Sequence, residues 1–176
     1  DATTITEAAG AVSQWDDKSG NARHVSQGNG SYQPVYTTGN IAFDGVNDWL
    51  WNSSAFMYAN GSVDCYVVGT VAIDPFAKMI AEGSSTNSNT YYTFGIEATG
   101  AAASAFHRDD SGTAFLSNPT LTNPAFSGTQ NIHSWSDDGA NLGTRLNGGT
   151  ETSVASTRAG ALTPDRFALG LSLIHI

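Results

Sequence analysis

Charge is scarce in this 176-residue chain: Asp, Glu, Lys and Arg make up 13% of it, about half the share usual in soluble proteins. Positive charge is scarcest, with 7 Lys and Arg against 16 Asp and Glu, a formal net charge of −9. A surface of that sign repels phosphate backbones and anionic membranes, which excludes nucleic-acid binding. Cysteine is nearly absent. Cys65 is the single one, so neither an intramolecular disulfide nor a cysteine-based zinc site can form. Its setting, Val63-Asp64-Cys65-Tyr66-Val67-Val68, reads as a buried strand in which the thiol is a small hydrophobe. No apolar run approaches the roughly 18 residues of a membrane helix, which excludes insertion, and the first residues lack the basic-then-apolar layout of a signal peptide. Strong helix formers are thin as well, and only residues 5–14 offer a short turn of helix.

What is present is turn and strand chemistry. Gly, Ser and Thr number 19 each and Asn 13, together 70 of the 176 residues; these cover strand surfaces and make turns. Apolar residues at 40% and aromatics at 10% are enough for one core, so one domain is expected. Short β-branched or aromatic runs recur at 41–44, 49–51, 63–73, 78–81, 91–97, 103–107, 113–116, 132–136, 144–146, 151–155 and 166–171. Between them stand tight-turn signals: Asp109-Asp110-Ser111-Gly112, Asp137-Asp138-Gly139 and Asn147-Gly148, the last a two-residue hairpin connection. Residues 83–90 and 116–128, the latter with two Asn-Pro pairs, read as exposed loops. Roughly ten strands at roughly 8 to 15 residue spacing predict an all-β antiparallel sandwich or barrel.

Two motifs carry a family resemblance. Trp15-Asp16-Asp17-Lys18-Ser19-Gly20-Asn21-Ala22-Arg23-His24 is followed by Pro34-Val35-Tyr36 and then by Phe43-Asp44-Gly45-Val46-Asn47-Asp48-Trp49-Leu50. This succession resembles the opening of the laminin-G-like subgroup of the concanavalin A-like lectin/glucanase superfamily. Weaker likenesses follow in His133-Ser134-Trp135, Asp137-Asp138-Gly139, Arg145-Leu146-Asn147-Gly148 and Arg166-Phe167-Ala168-Leu169-Gly170. The resemblance implies a jelly roll, two antiparallel sheets packed face to face, over 15–170, with 1–14 as a lead-in. Ala22 departs from the family's glycine and Asn47 from the first of its paired aspartates. The last six residues, 171–176, resemble the translation of a transposon-end sequence used in preparing sequencing libraries. The expectation is a read-through tail on a domain lacking its last strand or two; the other reading is a genuine final strand.

The resemblance also frames the chemistry. Hydrolases of the superfamily carry Glu-x-Asp-x-Glu or Glu-x-Asp-x-x-Glu on one strand, and retaining glycosidases need two carboxylates about 5 to 5.5 Å apart. Glu7, Glu82, Glu97 and Glu151 are the four glutamates, none with Asp two residues on, so no enzyme activity is expected. No Gly-x-Ser-x-Gly elbow exists either, and His24, His107 and His133 lack metal-ligand spacing. The family's loops often hold calcium through hard oxygen ligands. Asp16 and Asp17 in one loop, Asp44 and Asp48 in another, are the candidate Ca2+ ligands; the competing reading has them satisfying donors in their own turns. Sugar recognition needs aromatic faces beside polar loop groups. Trp51 and Tyr92, with Asn87, Asn89, Asp109 and Asp137, are the candidate ligand contacts. In Trp49-Leu50-Trp51 both indoles share one face, and the sequence leaves open whether that face is core or surface.

The expectation is a noncatalytic carbohydrate-binding or adhesion module of a larger secreted, cell-surface or phage structural protein, located outside the cell or on a virion. Its partners would be a glycan or surface protein and other domains of the same parent chain. The alternative is a structural spacer or oligomerisation module with no ligand of its own. A third is a glycoside hydrolase relative that has lost its catalytic carboxylates.

Overall fold

Reversals of the chain are set by residues that accept a positive φ. Asn147 and Gly148 both adopt it, at 52° and 70°, in a turn closed by the Gly149 N–H on the Leu146 carbonyl at 2.9 Å, but the connection is longer than the two residues expected, since the strands it joins end at Leu146 and begin at Thr152. A computed structural model of the chain describes residues 2–58, 62–70, 78–96, 103–117, 130–155 and 161–170. The tail at 171–176 and most of the loop at 116–128 lie outside them.

Fifteen strands occupy the described residues: β1 (Ile5–Ala8), β2 (Ala11–Trp15), β3 (Val25–Ser26), β4 (Val35–Thr37), β5 (Asn40–Ala42), β6 (Leu50–Asn52), β7 (Val63–Gly69), β8 (Lys78–Gly83), β9 (Tyr91–Ile96), β10 (Ala103–Arg108), β11 (Ala114–Ser117), β12 (Asn131–Asp137), β13 (Asn141–Leu146), β14 (Thr152–Ala155) and β15 (Arg166–Leu169). They form two antiparallel sheets. The larger runs β11-β10-β9-β8-β15-β6-β3-β2-β4-β5, with β1 also on β2, and the smaller runs β14-β13-β12-β7. The fold is an all-β jelly-roll sandwich, as expected.

Residues 5–14 are a correction. They form the β1–β2 hairpin, closed by Ala9 and Gly10 at φ 52° and 87°, with the Glu7 carboxylate accepting from the Gly10 N–H at 2.7 Å. One 3-10 turn, Ala2–Thr4, precedes it.

Alternation along each strand supplies the core. From the large sheet Leu50, Ile80, Phe94 and Phe167 face inward, and from the small sheet Trp135, Leu142 and Leu146. The rings of Phe94 and Trp135 stack across the gap, centroids 5.8 Å apart; truncating a ring so placed costs about 3–5 kcal/mol. Leu50 is fully buried while Trp49 and Trp51 are half-buried on the opposite, outer face. That resolves the orientation the sequence left open: the indoles rest on Ala81 and Ala168. Among the described residues no helix is long and apolar enough to cross a membrane.

Candidate functional site

The small sheet presents its outer face through residues the sequence did not single out. Strand β7 alternates strictly, with Val63, Cys65 and Val67 turned toward the core and Asp64, Tyr66 and Val68 outward. Tyr66 is 69% exposed and Val68 61%, so the strand is covered on one face, not both. An apolar run such as Cys65-Tyr66-Val67-Val68 does not distinguish the two cases. Register then builds rows across the sheet. Tyr66 pairs with Ser134, and Ser134 with Arg145; Asp64 pairs with Ser136, and Ser136 with Gly143. Beyond β13 the Glu151 carboxylate turns back to accept from Arg145, Nη2 to Oε2 at 2.6 Å.

Gly143 makes room for this arrangement. A Cβ there would lie 2.5 Å from Ser136 Oγ and 2.9 Å from Glu151 Cδ, so both side chains occupy the space its missing side chain leaves. The result is a hollow of about 30 Å3 lined by Asp64, Tyr66, Ser134, Ser136, Arg145 and Glu151, among others. Around the edge of β7 lies a wider groove of about 390 Å3, lined by Arg23, Phe56, Ser62, Asp64, Tyr66 and Phe167 with Met57, Val63, Cys65 and Ile80. Asp64 and Tyr66 border both.

The wall of the groove is held from within. Glu82 is buried, and its carboxylate accepts from three successive backbone N–H groups: Phe56 at 2.5 Å, Met57 at 2.6 Å and Tyr58 at 2.9 Å. Irregular backbone that leaves its donors unpaired in a core is costly, and one carboxylate settles three of them. The segment so fixed sets the Phe56 ring 4.5 Å from that of Phe167 and beneath the Arg23 guanidinium, 4.6 Å away. Cys65 lines the same groove, but burial pushes its thiol up to about 12. It is a packing group at neutral pH.

The six expected ligand residues fall into three places. Tyr92 and Asp137 are 0% and 2% exposed and bond to each other between the sheets, Oη to Oδ2 at 2.7 Å. Neither reaches a ligand, which corrects the expectation; both lie on the inward register of their strands. Asn87, Asn89 and Asp109 do gather at one end of the sandwich, where the side chains of Asn87 and Asp109 are committed to neighbouring groups. Asn87 donates to the Asp110 carbonyl and accepts from the Asn89 N–H. Asp109 accepts from Ser111 N, Ser111 Oγ and Thr113 N in its own turn. Asp110, which the sequence reading passed over, ties that turn to its neighbours by accepting from Thr90 and Thr163. Trp51 stands apart on the outer face of the large sheet, 6.1 Å from Trp49 and under Arg166 at 5.2 Å.

The four candidate calcium ligands are likewise turned onto their own loops. Asp17 accepts from Ser19 N, Ser19 Oγ and Arg23 N, and these bonds lower its pKa to about 2. Asp16 accepts from Gln14 Nε2 at 2.6 Å and lies 3.3 Å from His24 Nδ1. Asp44 Oδ1 accepts from the N–H groups of Val46, Asn47 and Asp48, and Asp48 Oδ2 from that of Asp44. Among the described residues no group of three His, Cys, Asp or Glu side chains stands close enough to hold a metal ion.

No protein-family model matches the chain, and no curated protein matches it in sequence. Solved structures do. The β-glucanase of Bacillus licheniformis superposes with a TM-score of 0.52 at 9% identity, over 98% of this chain and 85% of that one. The CBM40 carbohydrate-binding module of the Ruminococcus gnavus IT-sialidase, solved with α2,3-sialyllactose, gives 0.48 at 11% identity. That alignment spans 64% of each chain. At these identities the likeness is one of fold.

Proposed function

We propose that the chain is a noncatalytic carbohydrate-binding module, and that it binds sugar at the Tyr66 face of the small sheet and the adjoining groove. One observation carries this reading. Tyr66 is exposed at 69% and borders a hollow whose lining includes the hydrogen-bonding groups of Asp64, Ser134, Arg145 and Glu151. An aromatic ring offers its face to the C–H groups of a pyranose, and fixed donors and acceptors around it take the hydroxyls. The sandwich architecture is shared with a glucanase.

The described glutamates support binding without catalysis. Glu7 holds a hairpin turn, Glu82 holds the 56–58 segment and Glu151 pairs with Arg145; Glu97 lies outside the described residues. The laminin-G-like likeness of the two N-terminal motifs fits a module carried on a larger protein at a cell surface, in the extracellular space or on a virion, beside other domains of that protein. A second reading, an oligomerisation or spacer module, is favoured by Val68 and Ile132, paired on the same face and exposed at 61% and 47%. A polysaccharide array and light scattering separate the two. Saccharide binding that Tyr66→Ala weakens at least 10-fold, with the melting midpoint unchanged, supports the module; no saccharide binding together with a Val68-dependent oligomer supports the spacer.

A further inference from the structure

We infer that the groove beside β7 selects a saccharide bearing a carboxylate, and that Arg23 reads the carboxylate. The inference rests on the carbohydrate-binding reading and specifies its ligand class. Among the described residues the arginines are unequal. Arg108 donates to the carbonyls of Ser88 and Asn89, Arg145 to Glu151 at 2.6 Å, and Arg166 lies 3.8 Å from Asp165. Arg23 is exposed, and no carboxylate or carbonyl of the described residues holds its guanidinium. Asp17 feels the Arg23 charge only at a distance, its oxygens being bonded to Ser19 and to the Arg23 backbone N–H, so the guanidinium has a nearby negative charge but no bonded one among the described residues.

Its position is fixed from below. The guanidinium lies over the Phe56 ring at 4.6 Å, and that ring is held by the Phe56 N–H bond to Glu82 and by Phe167. The Arg23 backbone is tied too, its N–H donating to Asp17 at 3.0 Å. The ring contact uses none of the guanidinium N–H groups, and a fork of such donors is what takes a carboxylate through two parallel bonds. Little side-chain freedom remains to be lost on binding. The groove, about 390 Å3, falls in the range of roughly 300–1,000 Å3 that suits small ligands. Tyr66 supplies a ring face, and Ser62 and Asp64 partners for hydroxyls. Asp64 also disfavours a second acid group on the same bound unit, so the ligand carries one carboxylate within reach.

The test titrates the full chain by calorimetry with oligogalacturonates and oligoglucuronates, each as the free acid and as its methyl ester. Esterification removes the charge and keeps the sugar skeleton. The expected result is an acid bound at least 10-fold more tightly than its own ester, a preference that Arg23→Gln abolishes by bringing the acid down to the affinity of its ester, at an unchanged melting midpoint. Equal affinity for acid and ester overturns the role of Arg23 and leaves the carbohydrate reading standing. So does an Arg23→Gln variant that weakens both forms alike, since that is a packing effect. Binding of neither form, nor of any neutral saccharide, removes both.

Discussion

Tyr92 Oη donates to Asp137 Oδ2 at 2.7 Å, a hydrogen bond between the ninth strand, in the large sheet, and the twelfth, in the small one. Both side chains are out of reach of solvent. The bond pins the sheets in register in the middle of a mostly apolar interface, where the alternative pairing with water is lost.

Tyr92→Phe keeps the ring contacts and deletes that donor, leaving a buried carboxylate oxygen with one partner fewer. A hydrogen bond to a charged group contributes about 1.5–3 kcal/mol, so the variant is expected to unfold at lower urea with an unchanged slope. Saccharide affinity should not move, because the pair lies on the far side of the small sheet from Tyr66. Loss of affinity without loss of stability would return Tyr92 to the ligand site.

How the sequence announces this fold differs from residue to residue. Each of the eleven short runs it marks overlaps a strand of the described residues, though with other bounds: 41–44 ends at Ala42 and 166–171 at Leu169, while 71–73 of the 63–73 run lie outside the described residues; alternation, turn residues and β-branching agree at these places. The β1–β2 hairpin was hidden by its turn: Ala9 takes φ 52°, a position where turn rules look for Asn or Gly, and the Ala-rich stretch around it imitates a helix start. Of the two tyrosines, Tyr92, expected at a ligand, is buried, and Tyr66, expected in a buried strand, is exposed. Both sit in apolar runs, and which face of a strand meets the other sheet is decided by register across strands distant in sequence. Glu82 gave no signal at all, since its three partners lie 24 to 26 residues away along the chain.

Acid should destabilise the fold in two steps. Asp17 titrates at about 2, and Asp44, Asp109, Asp110, Asp138 and Asp165 are also held below the usual carboxylate range, Asp44, Asp109 and Asp138 chiefly by hydrogen bonds within their turns, Asp110 by Thr90 and Thr163, and Asp165 by Ser85. A depressed folded pKa contributes stability that is full above the unfolded value and lost as pH falls through the folded one. These turns therefore loosen below about pH 4. Asp48, raised by burial, acts in the opposite sense and offsets a small part. Burial lowers His133, whose contribution is present above about pH 6.5 and lost below it. Melting midpoints from pH 7 to 2 should show a shallow fall below 6.5 and a steep one below 4; a His133→Gln variant should lack the shallow phase. A flat profile down to pH 3 would contradict the bonding assigned to the turns.

The two acidic loops should be indifferent to chelation. Asp17 spends both oxygens and Asp44 its Oδ1 on donors of their own loops, and an ion at those atoms would compete with these donors. Only a ligand that binds the folded state shifts the midpoint. Melting in millimolar calcium and in excess EDTA is expected to give one value; a midpoint that rises with calcium and is lost with Asp44→Ala would establish an ion there.

Gly143 offers a way to disturb the hollow without replacing any of the side chains that line it. An added methyl would meet Ser136 Oγ and the end of the Glu151 side chain, both of which can swing aside, while the strand backbone needs no left-handed φ at this position. Glu151 moves furthest, since its Cδ stands where the methyl must go, and its 2.6 Å bond to Arg145 is the interaction lost. Overpacking of this kind costs about 1–3 kcal/mol, and an exposed ion pair adds little to that, about 0–1 kcal/mol. Gly143→Ala should therefore fold with a modestly lower midpoint in urea and bind saccharide less well, because the acceptor set around Tyr66 is rearranged. Ser153→Ala, opposite Gly143 on β14, changes neither the hollow nor the pair and serves as the control. Full saccharide affinity in Gly143→Ala would show that the ligand sits on the groove side of Tyr66, with Arg23, and makes no use of Glu151.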